Sequence, residues 1–228
     1  IVLSEAPSVD LRVQNVAGPA TARPGQQQTV SWEIHNTGAG TAASPWTDHL
    51  YLSSNGSLTG AIYLTSFTHQ SPLAGNTTVQ ANTQFWMPNV ADGNWQVIVI
   101  TDVNNQVYES GGADAETANT GVAAGATAVV HPDVRAIDIT VSADATAGRA
   151  STISWTARND GSAAVPPDWL ERVFLSSDDQ LDGNDILLAT TTVGSAIDAN
   201  GVLPRSAQAQ LPANLAAGSW RIIVQSDS

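Results

Sequence analysis

The stretch Val30-Ser31-Trp32-Glu33-Ile34-His35-Asn36-Thr37-Gly38 decides the fold, because the chain carries it twice. The second version is Ile153-Ser154-Trp155-Thr156-Ala157-Arg158-Asn159-Asp160-Gly161, at an offset of 123 residues. In both, apolar residues alternate with polar ones: Val30, Trp32 and Ile34 in one, Ile153, Trp155 and Ala157 in the other. A period of two puts alternate side chains on opposite faces of a strand, so each stretch predicts a half-buried strand with its Trp turned to a core.

The self-similarity extends outward from these strands. Asp10 to Leu64 aligns without a gap onto Asp133 to Leu187, and after a two-residue insertion Gly93-Asn94-Trp95-Gln96-Val97 falls on Gly218-Ser219-Trp220-Arg221-Ile222. Six of the seven Trp residues are paired this way, Trp86 being the exception. Further strands are expected at Asp48 to Leu52, with Leu50 and Leu52 on one face, and around Trp95, Val97 and Val99. Pro24-Gly25, Asn55-Gly56, Asp92-Gly93 and Asp182-Gly183 mark turns. The pattern predicts an all-β chain of two tandem Ig-like or fibronectin-like Greek-key sandwiches, with about seven strands in ~100 residues each. The expected division is residues 1–8 as the tail of a preceding repeat, 9–131 as the first repeat and 132–228 as the second. Ala126 to Val130 is expected to close the first repeat. The second, stopping at Ser228, has no counterpart of that strand, and the chain reads as a window cut from a longer array.

Charge and composition narrow the function. Eight Arg, no Lys and 21 Asp plus Glu give a net charge of −13. Such a surface repels phosphate backbones and anionic lipid, which argues against nucleic acid and membrane surfaces as partners. Cysteine is absent, which excludes disulfides, a thiolate nucleophile and Cys-ligated zinc. No apolar run reaches the ~20 residues of a membrane span.

These motifs resemble the CARDB repeat, the cell-adhesion-related domain found in bacteria. The residues that carry the resemblance are Val9-Asp10-Leu11, Pro24-Gly25, Val30 to Gly38, Trp46-Thr47-Asp48, Tyr51-Leu52-Ser53-Ser54, and Thr101-Asp102 to Val107-Tyr108-Glu109. The second repeat departs at Glu171 for Asp48 and at Phe174 for Tyr51. The resemblance implies a sandwich from a large exported bacterial protein, located extracellularly or on the cell surface, with a role in adhesion. It supplies no catalytic residues.

A search for chemistry agrees with that implication. His35 and His49 become Arg158 and Arg172 in the second repeat, which fits solvent-facing side chains better than a catalytic pair. No phosphate loop, zinc-ligand pair or nucleophile elbow occurs. Asp178-Asp179-Gln180-Leu181-Asp182-Gly183-Asn184-Asp185 imitates the first half of a calcium loop, with Asp178, Asp179, Asp182, Asn184 and Asp185 as candidate ligands. The Glu that would complete such a loop is replaced by Ala189, and a plain polar hairpin turn is the competing reading. Asp102, with Asn104 and Asn105, is expected to make Asx-type turn bonds. Two functions remain. One is a non-catalytic adhesive or spacer segment that contacts neighbouring repeats, a cell-surface protein or a glycan. The other is a carbohydrate-binding accessory module, with Trp86, Tyr63 and Phe67 as its exposed aromatics. Two readings of the open edge of the second repeat stand side by side: Ile1-Val2-Leu3 of another molecule complements it, giving head-to-tail association, or the edge is simply frayed.

Overall fold

The computed structural model describes residues 7–109 and 118–226. Fifteen strands lie among the described residues, and the chain divides into two compact units, Ile1–Val130 and His131–Ser228.

In unit 1 a three-stranded sheet has the order β1 (Leu11–Ala17), β3 (Gln27–Asn36), β6 (Thr77–Trp86). A second sheet runs β2 (Thr21–Ala22), β9 (Thr127–Val129), β7 (Gly93–Ile100), β4 (Trp46–Ser53), β5 (Ile62–His69), and β8 (Thr120–Val122) also pairs with β7. The ladder is antiparallel except where β2 meets β9. Alternation delivers Val30, Trp32 and Ile34 from β3, Trp46, Leu50 and Leu52 from β4, and Val97 and Val99 from β7 into one core, each fully buried. Burial of side chains this size contributes about 1.5–3 kcal/mol apiece, which is what holds the two sheets face to face.

Unit 2 repeats the plan with fewer strands. One sheet is β10 (Val134–Val141), β11 (Ala150–Asn159), β14 (Val202–Gln210), and the other is β13 (Ile186–Val193), β12 (Trp169–Ser176), β15 (Arg221–Ser226). Ile153, Trp155 and Val173 form its centre. Among the described residues, no strand of unit 2 stands where β8 and β9 stand in unit 1.

The ungapped alignment fails at one point. Tyr51 lies opposite Tyr63 in unit 1, whereas Phe174 lies opposite Leu187 in unit 2. Leu187 therefore occupies the place of Tyr63, and the offset grows from 123 to 124, as Ile62 and Ile186 at the starts of β5 and β13 show. The extra residue is absorbed in the turn between β12 and β13. There Leu58 with Leu181 and Gly60 with Gly183 set the sequence register by identity, while strand pairing sets the real one.

The Asn of each Asn-x-Gly ties its unit together. Asn36 is fully buried; its Oδ1 accepts from the backbone N–H of Asp10 and Gly38, and its Nδ2 donates to the carbonyls of Gly40 and Leu73. Asn159 does the same with Asp133, Gly161, Ala163 and Ile197. The Gly that follows is required by close approach: a Cβ on Gly38 would lie 2.2 Å from the Ser8 carbonyl oxygen, and one on Gly161 would lie 2.4 Å from that of His131.

Candidate functional site

The polar groups that converge most tightly lie inside each unit. Asp48 sits on β4 in phase with Trp46, Leu50 and Leu52, so the strand turns its carboxylate into the core, where it is fully buried. Oδ2 accepts from Trp32 Nε1 at 2.8 Å and pairs with His69 Nε2 at 2.8 Å; Oδ1 accepts from Thr101 Oγ1 at 2.7 Å. His69, at the end of β5, stacks on Trp46 with ring centroids 4.4 Å apart, and meets the edge of Phe67. Phe67 in turn stands edge-on to Trp32 at 5.4 Å.

Unit 2 builds the same feature from different parts. Glu171 replaces Asp48 and is likewise fully buried. Its Oε1 accepts from Trp155 Nε1 at 2.8 Å and its Oε2 from Arg205 Nε at 2.8 Å; Arg205 also reaches Thr191 Oγ1 at 3.4 Å. The cation arrives from another strand. His69 faces Trp46, but Val193 faces Trp169. Arg205 on β14 faces Trp155, where Ala81 on β6 faces Trp32. A longer carboxylate with Arg thus replaces a shorter one with His, and each acid keeps an indole donor and a cationic or imidazole partner.

This arrangement satisfies a buried charge. A lone carboxylate in an apolar core costs several kcal/mol, so it persists only when paired and hydrogen-bonded. Thr, Asp and His are the residue types of a hydrolytic triad, but the geometry differs from one. Thr101 donates to the carboxylate and not to the imidazole, and Thr101, Asp48 and His69 are 1 %, 0 % and 6 % exposed. A nucleophile needs its base within hydrogen-bond reach and a substrate beside it.

The residues singled out in the sequence fall elsewhere. Asp178, Asp179, Asp182, Asn184 and Asp185 lie in the exposed turn between β12 and β13. Asp178 Oδ1 accepts from the N–H of Gln180, Asp182 Oδ1 from that of Asn184, and Asp185 Oδ2 from that of Asp182, at 2.8–2.9 Å. Among the described residues no group of three or more His, Asp or Glu is placed to hold a metal ion. Asp102 accepts from the N–H of Gln106 and Val107, closing the turn after β7. The three aromatics proposed for sugar binding do not share a face. Trp86 is exposed on β6, in one sheet; Tyr63 is exposed on β5, in the other; and Phe67 packs inward against the core. Tyr63 instead clusters with His49 and Tyr51 on the outer face, its ring 5.2 and 5.8 Å from theirs. Ile1-Val2-Leu3 lies outside the described residues.

Asp48, His69, Glu171 and Arg205 escaped the sequence reading as a site. The available signal was phase: a carboxylate at the inward position of a strand in both copies, Asp48 in one and Glu171 in the other.

The geometry defines an all-β protein of packed sheets whose converged carboxylates, Asp48 and Glu171, are fully buried. The CARDB family matches residues 8–122, and the chain belongs to that family, a generally non-catalytic one. Among solved structures, the CARDB domain of a Pyrococcus furiosus protein, crystallised in complex with di-metal ions, is 18 % identical, with a TM-score of 0.40, over 54 % of this chain and 90 % of that one. Its solution structure gives 18 % identity and a TM-score of 0.39 over 54 % and 97 %. Red sea bream transglutaminase is 12 % identical, with a TM-score of 0.34, over 98 % of this chain and 30 % of that one. No curated protein matches.

Proposed function

We propose that the chain is a pair of tandem Ig-like modules with no catalytic role, belonging to a large exported bacterial surface or secreted protein, and that it serves adhesion or extends a distal domain from the cell. The observation that supports this most is the fate of the polar residues. In both units a buried carboxylate accepts from a core indole at matching positions, while its further partner differs in kind and place, an imidazole from β5 in one and a guanidinium from β14 in the other. A position that keeps its burial and changes its chemistry serves the fold. A catalytic position keeps its chemistry. Family membership supports the adhesive role and the extracellular location. Solution scattering is the test: an elongated particle is expected, and a compact one overturns the spacer role.

A second reading, a carbohydrate-binding accessory module, is favoured by the exposed His49–Tyr51–Tyr63 cluster. Aromatic faces with polar tips suit sugar rings. Glycan-array binding that is lost in Tyr63→Ala would establish it, and silence of the whole array would end it.

A further inference from the structure

The chain contains two Asn-Gly steps, Asn55-Gly56 in unit 1 and Asn200-Gly201 in unit 2. At such a step the main-chain nitrogen of the Gly can reach the carboxamide of the Asn, because Gly has no side chain to obstruct the approach. The two steps are held differently. Gly201 is fixed on both sides just before β14: its N–H donates to the Asp198 carbonyl at 2.8 Å, and its carbonyl accepts from the Asn159 N–H at 3.0 Å. Asn55 is exposed in the turn between β4 and β5. Among the described residues the Gly56 N–H donates to no acceptor. Gly56 stands at φ +74°, so this turn itself requires a Gly after Asn55.

The carboxamide of Asn55 is polarised by its neighbours. Oδ1 accepts from the Ser57 N–H and from the Ser57 hydroxyl, both at 2.9 Å. The Ser53 hydroxyl lies 3.0 Å from Oδ1 and 2.7 Å from the Ser57 carbonyl, and shares its proton between them. Donors gathered on a carbonyl oxygen stabilise the negative charge that develops there when a nucleophile attacks its carbon. Asn55 Nδ2 makes no hydrogen bond among the described residues, so nothing retains it as a leaving group. Unit 2 carries an acid at the same place. Asp178 follows Ser176-Ser177 as Asn55 follows Ser53-Ser54, and its Oδ1 accepts from the Gln180 N–H at 2.9 Å as Asn55 Oδ1 accepts from that of Ser57.

We propose that Asn55 is a modification site, deamidated by the chemistry of its own turn, and that the fold protects Asn200 from the same reaction. The Gly56 nitrogen attacks Asn55 Cγ and gives up its proton. The Cγ–Nδ2 bond breaks, and the side-chain nitrogen leaves with that proton as ammonia. A five-membered succinimide ring now joins the two residues, and water opens it. Cleavage between the nitrogen and Cγ gives aspartate in the ordinary linkage. Cleavage between the nitrogen and the main-chain carbonyl carbon of residue 55 gives isoaspartate, which adds a methylene to the main chain of the turn. Either product adds one negative charge to the −13 of the chain. The aspartate matches Asp178 of unit 2, whereas the isoaspartate lengthens the connection between β4 and β5. Ring closure at Asn200 must first break the two bonds that fix Gly201.

The test is to hold the folded full chain in neutral and in mildly alkaline buffer, digest it with pepsin in acid, and follow the peptides by mass spectrometry. The Asn55 peptide is expected to gain the mass difference between –OH and –NH2 and to resolve into an aspartyl and an isoaspartyl form. The change should be faster at the higher pH, because the Gly56 nitrogen must lose its proton. The Asn200 peptide should lag by about tenfold or more, the effect of two hydrogen bonds that have to be broken. In concentrated urea, where neither turn persists, the two peptides should react at similar rates. Asn55→Gln, which would need a larger ring, should leave position 55 unmodified. Ser57→Ala removes one donor from Oδ1; it should slow the reaction about fivefold in the folded chain and leave the rate in urea unchanged. An Asn55 that stays intact in the folded chain overturns the proposal, as does an Asn200 that reacts there as fast as Asn55. A Ser57→Ala chain that reacts at the native rate overturns the role given to the donors on Oδ1.

Discussion

Asp48 is the residue on which the interior of unit 1 turns. Replacing it by Ala leaves the Trp32 indole, His69 and Thr101 without their acceptor, so a loss of about 3–5 kcal/mol is expected in denaturant unfolding. His69→Val places in unit 1 the residue that unit 2 carries there, and by itself should destabilise. The triple change Asp48→Glu, His69→Val, Ala81→Arg transplants the acid, the Val and the Arg of unit 2, with Phe67 left where unit 2 has Thr191, and should recover stability relative to His69→Val alone. A triple variant weaker than the single one would show that the two arrangements are not interchangeable. Asp10 gives a pH dependence. Burial pushes its carboxyl up, but the Thr37 hydroxyl and the Arg12 guanidinium, which bonds it at 2.9 and 3.0 Å, outweigh that and hold it below its ordinary value. A depressed value stabilises above the ordinary carboxylate range, and the contribution is lost as pH falls through the folded value. Asp10→Asn should therefore flatten the acid limb of the stability profile, and an unchanged limb would contradict the assignment. The sequence displayed Asp48 only as a member of a motif. Alternation says which way a side chain points, but the partners come from β3, β5 and the residue after β7, and pairing across that distance is invisible without the fold.

At the level of elements, the strands were legible because their periodicity is local. β3 and β11 follow from Val30 to Gly38 and its repeat, while the turn between β12 and β13 defeated the alignment because turns tolerate an added residue at little cost. The same logic separates β7 from β15. β7 is flanked by β4, β8 and β9, while β15 pairs with β12 alone among the described strands. Amide exchange should therefore be faster along Ile222 to Val224 than along Val97 to Val99, measured at a concentration where the chain is monomeric. Equal protection would mean that the edge is covered by something else. The Asp178–Asp185 turn has its own test. Its carboxylates already accept backbone N–H bonds, and a calcium ion must compete with them. In isothermal titration any calcium heat should vanish with Asp182→Asn, because the matching loop of unit 1 offers Thr59 there. Heat that survives this change, or none from the native chain, removes the site.

For the whole molecule, the central claim is that two copies of one sandwich, each with its own core, make a segment that carries force and presents a surface. The two cores share a plan and differ in the partners of their buried carboxylates. Separate cores predict separate cooperative transitions, since each unit buries its own Trp and satisfies its own carboxylate. Single-molecule pulling on the full chain addresses this most directly. The account predicts two unfolding events, each releasing roughly 100 residues at up to ~3.6 Å apiece. One event that releases the whole length at once would contradict it.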